Sequence, residues 1–286
     1  MLLALLACAP AQAASYTVYA AGDIALCSHA APAWSGAAAT ATVVAHGLNA
    51  DPQASVLTLG DNAYPRGAEA EFRDCYGPTW GRFRARTHPA PGNRDYATPG
   101  AAGYFAYFGA AAGRGYYSFE LGGWHLVSLD SNLPPAAHAA QLAWLKDDLA
   151  RHPARCTLAY WHHPLYSSGG HGGIPKMKDV WEALYRAGAE IVLSGHDHDY
   201  ERFAPQDANG QVDAARGIRQ FVVGTGGAYP TPFWHYAPHS EARDANRTGV
   251  LKLVLKDGGY EWELLEASYD GFPNGAPPDR GAGECH

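Results

Sequence analysis

Short apolar runs of strand character alternate along the chain with stretches whose apolar residues recur every three or four positions. The runs "YTVYAAGD" (16–23) and "ASVLTLGD" (54–61) predict strands, each closed by Gly-Asp. Between them "SGAAATATVVAHGL" (35–48) predicts a helix. "GYYSFELGGWHLVSLDSN" (115–132) predicts two strands around a Gly-Gly turn. "PPAAHAAQLAWLKDDLARHP" (134–153) predicts a helix with proline at its start and Leu142, Leu145 and Leu149 on one face. A strand stopped by proline follows, "RCTLAYWHHP" (155–164), then a helix closed by glycine, "PKMKDVWEALYRAG" (175–188). "AEIVLSGH" (189–196) predicts a buried strand, and "IRQFVVGTGG" (218–227) another, with its glycines read as a turn. "VLKLVLKDGGYEWELLEAS" (250–268) predicts a hairpin about Asp257-Gly258, and "GAPPDRGAGECH" reads as a loose tail that Cys285 could pin. The class is α/β. The length would allow two domains, but the polar motifs between residues 23 and 198 make sense only if they converge. One domain over residues 15–286 is therefore the expectation.

Composition narrows the function classes. Hydrophobic residues are 47% and charged residues 17%, which fits a folded chain and excludes a disordered one. The formal charge is −7 and no Lys/Arg run occurs, so binding to nucleic acid through phosphate neutralisation is not expected. An anionic ligand would need a local attractor, and a metal centre could supply one. The first residues, "MLLALLACAPAQAAS", resemble a secretory signal over 1–14 that lacks the basic start; an apolar first strand is the alternative. The stretch is too short to span a bilayer. Its "LLAC", ending at Cys8, resembles a bacterial lipoprotein cleavage box, which would make a lipid-anchored form. The expected location is outside the cytoplasm. Without Cys8, four cysteines remain. They allow three disulfide pairings, of which Cys27–Cys75 with Cys156–Cys285 is favoured, or they are free buried thiols. No feature of the pattern assigns an oligomeric state.

Polar groups stand just past the ends of several apolar runs. Asp23 follows "VYAAG", Asp61 follows "VLTLG", His162 ends "TLAYW", and His196 and His198 follow "IVLSG". Asn93 stands in "HPAPGNRDYATPG" (88–100), which read alone is a Pro/Gly-rich turn. In an open α/β sheet, ligands bind beyond the carboxyl ends of the strands. A carboxylate at the edge of an apolar core needs a partner, and coordination provides one. Asp, Asn, Tyr and His together form a mixed O/N donor set suited to Zn, Mn and Fe. The remaining histidines, at 29, 46, 88, 125, 138, 152, 235, 239 and 286, belong to no motif and read as structural. His163 should point away from His162 if its strand continues. Tyr200 and Arg202 read equally as pocket lining or as a packed edge strand. A serine hydrolase is not expected, since no G-x-S-x-G elbow occurs.

The ordered set "GDIA" (22–25), "GDNAY" (60–64), "GN" (92–93), "HHP" (162–164) and "GHDH" (195–198) resembles the calcineurin-like metallophosphoesterase superfamily, and within it the purple acid phosphatases. "PGAAGYFAYFG" (99–109) and "GHDHDYERFAPQD" (195–207) resemble runs of exported bacterial members. Most of the superfamily has D-x-H in the first motif, whereas Ala25 stands at the third position here. The purple acid phosphatase branch uses a tyrosine instead, and Tyr64 occupies its place. The resemblance implies a four-layer α/β/β/α sandwich with two mixed sheets. It also implies two metal ions, Fe(III) plus a divalent Fe, Zn or Mn. One ion would take Asp23, Tyr64 and His198, the other Asn93, His162 and His196, with Asp61 bridging. The implied reaction is hydrolysis of a small phosphate monoester by a metal-bound hydroxide, or of a diester or nucleotide on the same metal core. A metal-dependent binding protein without catalysis is the third reading. The family's acid, the His of "GNH", is replaced by Arg94, which can bind phosphate oxygens but does not deprotonate. His171, nine residues after His162, is the candidate acid and a candidate substrate contact beside Asn93 and Arg94.

Overall fold

The computed structural model describes residues 15–27, 32–267 and 279–286. The expected leader, Cys8 and His29 lie outside the described residues. In chain order the elements are β1 (Tyr16–Ala21), β2 (Ala25–Leu26), α1 (Gly36–Ala50), β3 (Ser55–Leu59), β4 (Ala63–Tyr64), α2 (Glu69–Glu71), β5 (Thr87–Ala90), α3 (Ala102–Phe108), β6 (Tyr117–Leu121) and β7 (Trp124–Ser128). They continue with α4 (Pro135–Arg151), β8 (Cys156–Tyr160), α5 (Lys178–Arg186), β9 (Ile191–Ser194), β10 (Tyr200–Phe203), β11 (Arg219–Val223), β12 (Ser240–Asp244), β13 (Gly249–Lys256), β14 (Gly259–Glu266) and β15 (Arg280–Glu284).

The strands form two large mixed sheets. One has six strands in the order β15-β14-β13-β1-β3-β5, the other seven in the order β12-β10-β11-β9-β8-β7-β6. Within the first, β1, β3 and β5 run parallel; within the second, β7, β8, β9 and β11 do. Parallel strands are covered on both faces and so read as unbroken apolar runs. β3, β8 and β9 are buried at every position. Side chains alternate between faces. Leu126, Leu158 and Leu193 join Val18, Leu57 and Leu253 in the core between the sheets. Val127, Ala159 and Val192 face the other way and pack with Leu145 of α4 and with Val180, Trp181 and Leu184 of α5. Helix α1 covers the outer face of the six-stranded sheet. Its Gly47 lies so close to the Tyr19 ring that a Cβ there would come within 2.2 Å. The result is helix, sheet, sheet, helix.

Local chemistry sets the ends of these elements. Ser35 caps α1, its Oγ accepting from Ala38 N at 3.2 Å. Gly258, at φ 81°, closes the hairpin between β13 and β14. The disulfides are Cys27–Cys75 and Cys156–Cys285, with Cα atoms 5.6 and 5.5 Å apart. No helix among the described residues is long and apolar enough to cross a membrane.

The structure corrects one expectation here and decides between two readings. The end of the chain is not a loose tail: β15 pairs antiparallel with β14. It lacks an apolar signature because Gly281 and Gly283 leave room for the rings of Trp262 and Tyr260, which a Cβ would approach to 2.4 and 2.5 Å. For Tyr200 and Arg202 the packed-strand reading holds. Both bond Asp279, at 2.7 Å each, as members of an inner strand near the sheet edge.

Candidate metal centre

Five strands end at one place. β1 leads to Asp23, β3 to Asp61, β5 to Asn93, β8 to His162, and β9 to His196 and His198. Parallel strands send their carboxyl ends the same way, so both sheets deliver donors to one end of the sandwich. The turns that follow are strained. Asp23, Asp61 and His196 carry φ of 59°, 52° and 74°, a left-handed conformation that costs a side-chain-bearing residue free energy. Three such residues at one site indicate that the surroundings enforce the geometry. The glycines of the motifs make the close approach feasible. A Cβ on Gly92 would come 2.2 Å from Asp61 Oδ1, and one on Gly195 would come 2.6 Å from Asp23 Oδ2.

The donors fall into two groups. Tyr64 Oη lies 2.7 Å from Asp23 Oδ1 and 3.0 Å from His198 Nε2. His162 Nε2 lies 3.0 Å from Asn93 Oδ1 and 3.2 Å from His196 Nδ1. Asp61 stands between them, with Oδ2 3.1 Å from Tyr64 Oη and Oδ1 3.4 Å from His162 Nε2. His162 Nδ1–H donates to Leu59 O at 2.9 Å, and His198 Nδ1–H donates to Tyr229 O at 2.8 Å. Each bond fixes the tautomer and leaves Nε2 facing the site as a ligand atom.

Proton counting tests whether this set fits metal ions. The Tyr64 hydroxyl has one proton and faces three acceptors, Asp23, Asp61 and His198. His162 Nε2 has at most one and faces Asn93, His196 and Asp61. In each group more donor atoms converge than neutral side chains have protons to link, so without a cation the buried carboxylates must be balanced by protonated imidazoles. A cation in each group relieves this, so the donor set fits two ions.

The electrostatics agree. Burial raises the Asp23 carboxyl, but His198 and His162 outweigh it and hold the group below the usual carboxylate range. Burial pushes His162 and His198 down, yet Asp61 beside the first and Asp23 beside the second win and carry each to about 9. Burial, with His162 next to it, drives His196 down to about 2. Burial and the charges of Asp23 and Asp61 keep the Tyr64 phenol far above its ordinary range. Protons here compete for the positions that metal ions would take.

The other sequence candidates fall around this cluster. Arg94 is exposed; its backbone N donates to Asp61 Oδ1 at 2.7 Å and its guanidinium lies 5.9 Å from the Tyr64 ring centroid. The His171 ring lies 4.4 Å from the His196 ring, with its Nδ1 3.0 Å from Asp197 Oδ1 and half its side chain exposed. His163 does not point away. β8 leaves the ladder at Tyr160, so the alternation stops before it, and its ring lies 4.5 Å from that of His196. Ser131 Oγ bonds His163 Nδ1 at 2.7 Å. His125 and His138, read as structural, bond Asp148 and Asp179, each at 2.9 Å.

Two buried carboxylates went unread in the sequence. Asp197 accepts from Ser167 Oγ at 2.5 Å and from His171 N at 2.8 Å, so it fixes the loop that carries His171. Asp95 Oδ2 accepts from Gly92 N at 2.8 Å and Asn62 Nδ2 at 3.0 Å, which ties the Asn93 turn to the Asp61 turn. The available signal was position: each lies within two residues of a candidate ligand.

A two-sheet α/β sandwich whose strand ends converge on paired O/N donor sets is a scaffold with a donor set that fits two metal ions. The calcineurin-like phosphoesterase family model matches residues 16–200, and the chain belongs to that family. It is 37% identical over 118 residues to purple acid phosphatase 21 of Arabidopsis thaliana, covering 39% of this chain and 26% of that protein. It is 32% identical over 161 residues to purple acid phosphatase 18 of the same plant, covering 54% and 32%. The alignments thus span about a quarter to a third of these relatives. Among solved structures, the fold resembles purple acid phosphatase PPD1 from yellow lupin (Lupinus luteus) seeds, with a TM-score of 0.71, 20% identity, and coverage of 95% of this chain and 54% of that one. It also resembles GAP50, the anchor in the inner membrane complex of Plasmodium, with a TM-score of 0.69, 13% identity, and coverage of 95% and 88%.

Proposed function

We propose that the protein is a dinuclear metal phosphoesterase that hydrolyses small phosphate monoesters in the manner of the purple acid phosphatases. One observation carries the reading: Asp61 lies between the two donor groups, 3.1 Å from Tyr64 Oη and 3.4 Å from His162 Nε2, where a single carboxylate would serve both ions. Asp23, Tyr64 and His198 would hold one ion, Fe(III), for which a phenolate is a suited hard ligand. Asn93, His162 and His196 would hold a divalent Fe, Zn or Mn. Bound there, the two ions would neutralise phosphate charge and acidify water enough to supply a nucleophile near neutral pH. Fold likeness alone does not decide between enzyme and anchor. The intact donor set favours the enzyme.

The remaining residues have distinct tasks in this reading. The exposed Arg94 guanidinium binds phosphate oxygens and stabilises their charge in the transition state. It cannot supply the leaving group's proton. His171 does so from Nε2, while Asp197 holds Nδ1 and stabilises the imidazolium. Residues 15–286 act as one catalytic domain. Residues 1–14 export it as a cleaved signal or, in the alternative reading, cleavage before Cys8 leaves that cysteine as the site of an acyl anchor; the two disulfides and the purple acid phosphatase relatives agree with an exported protein.

Metal analysis with a visible spectrum tests the reading. Two ions per chain should be found, with a tyrosinate-to-iron absorption band that Tyr64→Phe removes. Purified protein holding no metal, or a single zinc, would contradict it.

A further inference from the structure

Five large apolar side chains are strongly exposed among the described residues, and three of them, Tyr229, Trp234 and Tyr236, share one loop. Their exposures are 72%, 77% and 72%. That loop, "AYPTPFWHYAPH" (228–239), is not a slack connection. Tyr229 O accepts from His198 Nδ1 at 2.8 Å, and Thr231 N donates to His198 O at 3.0 Å. Trp234 N donates to Ser168 O at 3.2 Å, and Ala237 N donates to Ser168 Oγ at 2.8 Å. The buried Glu201 carboxylate locks this junction by accepting from Ser168 N at 2.7 Å and from Ser168 Oγ at 2.5 Å. The backbone of the loop is therefore bonded to one candidate ligand and to the segment that carries His171. The Trp234 indole lies over Gly170, where a Cβ would come 3.5 Å from its Nε1, and His171 is the next residue. Arg243 holds the Tyr236 ring from one side, with its guanidinium 4.5 Å from the centroid.

A loop that only connected strands would turn its rings inward. Here the backbone is pinned and the rings are left in water beside the mouth of the site, which marks a surface built to receive something. Flat, rigid rings suit a flat partner, stacking on it at little entropic cost. The position of Trp234 next to His171, the group assigned to the departing oxygen, puts that partner on the alcohol side of the ester. We infer that loop 228–239 is a subsite for an aromatic ring in the alcohol portion of the substrate, so that the substrates are phosphate monoesters of ring-bearing alcohols, nucleoside monophosphates among them. The inference rests on the phosphoesterase reading above. Water adds across the P–O bond, the alcohol oxygen takes a proton, and the products are the free nucleoside and inorganic phosphate.

Adenosine 5′-monophosphate and ribose 5-phosphate provide the test. Both lose phosphate from a primary 5′ oxygen, so the leaving group is the same and only the base differs. The ratio of their kcat/KM values should favour the nucleotide, and Trp234→Ala should reduce that ratio at least about fivefold, the range of one base–aromatic stack. Trp234→Phe should restore most of it, which separates stacking from disturbance of the loop. Equilibrium dialysis with adenosine should show the same loss without turnover. A ratio unchanged in Trp234→Ala would overturn the subsite and leave the rings to a macromolecular surface. Hydrolysis of neither ester by the metal-loaded protein would overturn the phosphoesterase reading and this inference with it.

Discussion

The two donor groups of the centre are built from different chemistry. The Asp23–Tyr64–His198 group offers a carboxylate, a phenol and one imidazole, and Asp23 and Tyr64 are both buried. The Asn93–His162–His196 group offers a neutral amide oxygen and two imidazoles. The first is rich in anionic oxygen and suits a hard trivalent ion; the second is mostly neutral nitrogen and suits a divalent one. Asp61 reaches both. Charge asymmetry across a few ångströms thus allows one pocket to hold two unlike ions in a fixed order.

The sharpest way to break this comparison is to remove what the halves share. Asp61→Asn should lower kcat/KM by about a thousandfold, since metal stabilisation of the transition state is worth several kcal/mol. Asparagine also tolerates the left-handed turn that Asp61 adopts at φ 52°, so the loss would report chemistry and not backbone strain. Activity within a few-fold of the parent would remove Asp61 from its bridging place. Next come two substitutions that should separate the halves. Tyr64→Phe should abolish the visible band, while His162→Asn should lower the bound metal from two ions to one and keep the band. Loss of the band in both variants would mean that the halves are not independent.

Smaller effects concern the groups around the metals. His171→Ala should cost about a hundredfold in kcat for an alkyl phosphate, as loss of a general acid does, and less for an ester with a good leaving group. Asp197→Asn should cost about tenfold in kcat, as loss of an orienting partner does. If both substitutions left kcat untouched, the proton would have to come from elsewhere. Trp234→Ala belongs with these, its effect being confined to the ratio between ring-bearing and plain substrates. The smallest change should come at the opposite end of β9. Burial raises Glu190 to about 7, above its ordinary 4.5. A group raised in this way stabilises the fold fully below pH 4.5, and that contribution is lost as the pH passes 7. Glu190→Gln should flatten the decline in urea midpoint between pH 5 and 8, with no change in metal content. An unchanged slope would assign the decline to other groups.

The sequence showed the donors better than it showed what holds them. Asp23, Asp61, His162, His196 and His198 were legible because each follows an apolar run, Asn93 only as part of the ordered motif set, and the strands bring all of them together. Asp95 and Asp197 were not legible, because their work is to accept hydrogen bonds from turns whose shape appears only after folding. The placement of His163 was not legible because it turned on whether the strand continued, and the ladder stops at Tyr160. The last strand escaped notice for a different reason. Its glycines carry no apolar signal, since their role is to give space to Tyr260 and Trp262. Both disulfide pairs favoured from the sequence are the pairs formed.

Those two disulfides also partition the site. The first closes a covalent ring over residues 27–75, which contains Asp61 and Tyr64; the second closes one over 156–285, which contains His162, His196 and His198. Five of the seven donors therefore sit on closed loops of chain. A protease that cut either loop once would sever a peptide bond without releasing a fragment, and every donor on the loop would stay tethered to the rest of the molecule. Wherever such cuts accumulate faster than new synthesis replaces the chain, the centre would outlast the continuity of its own backbone.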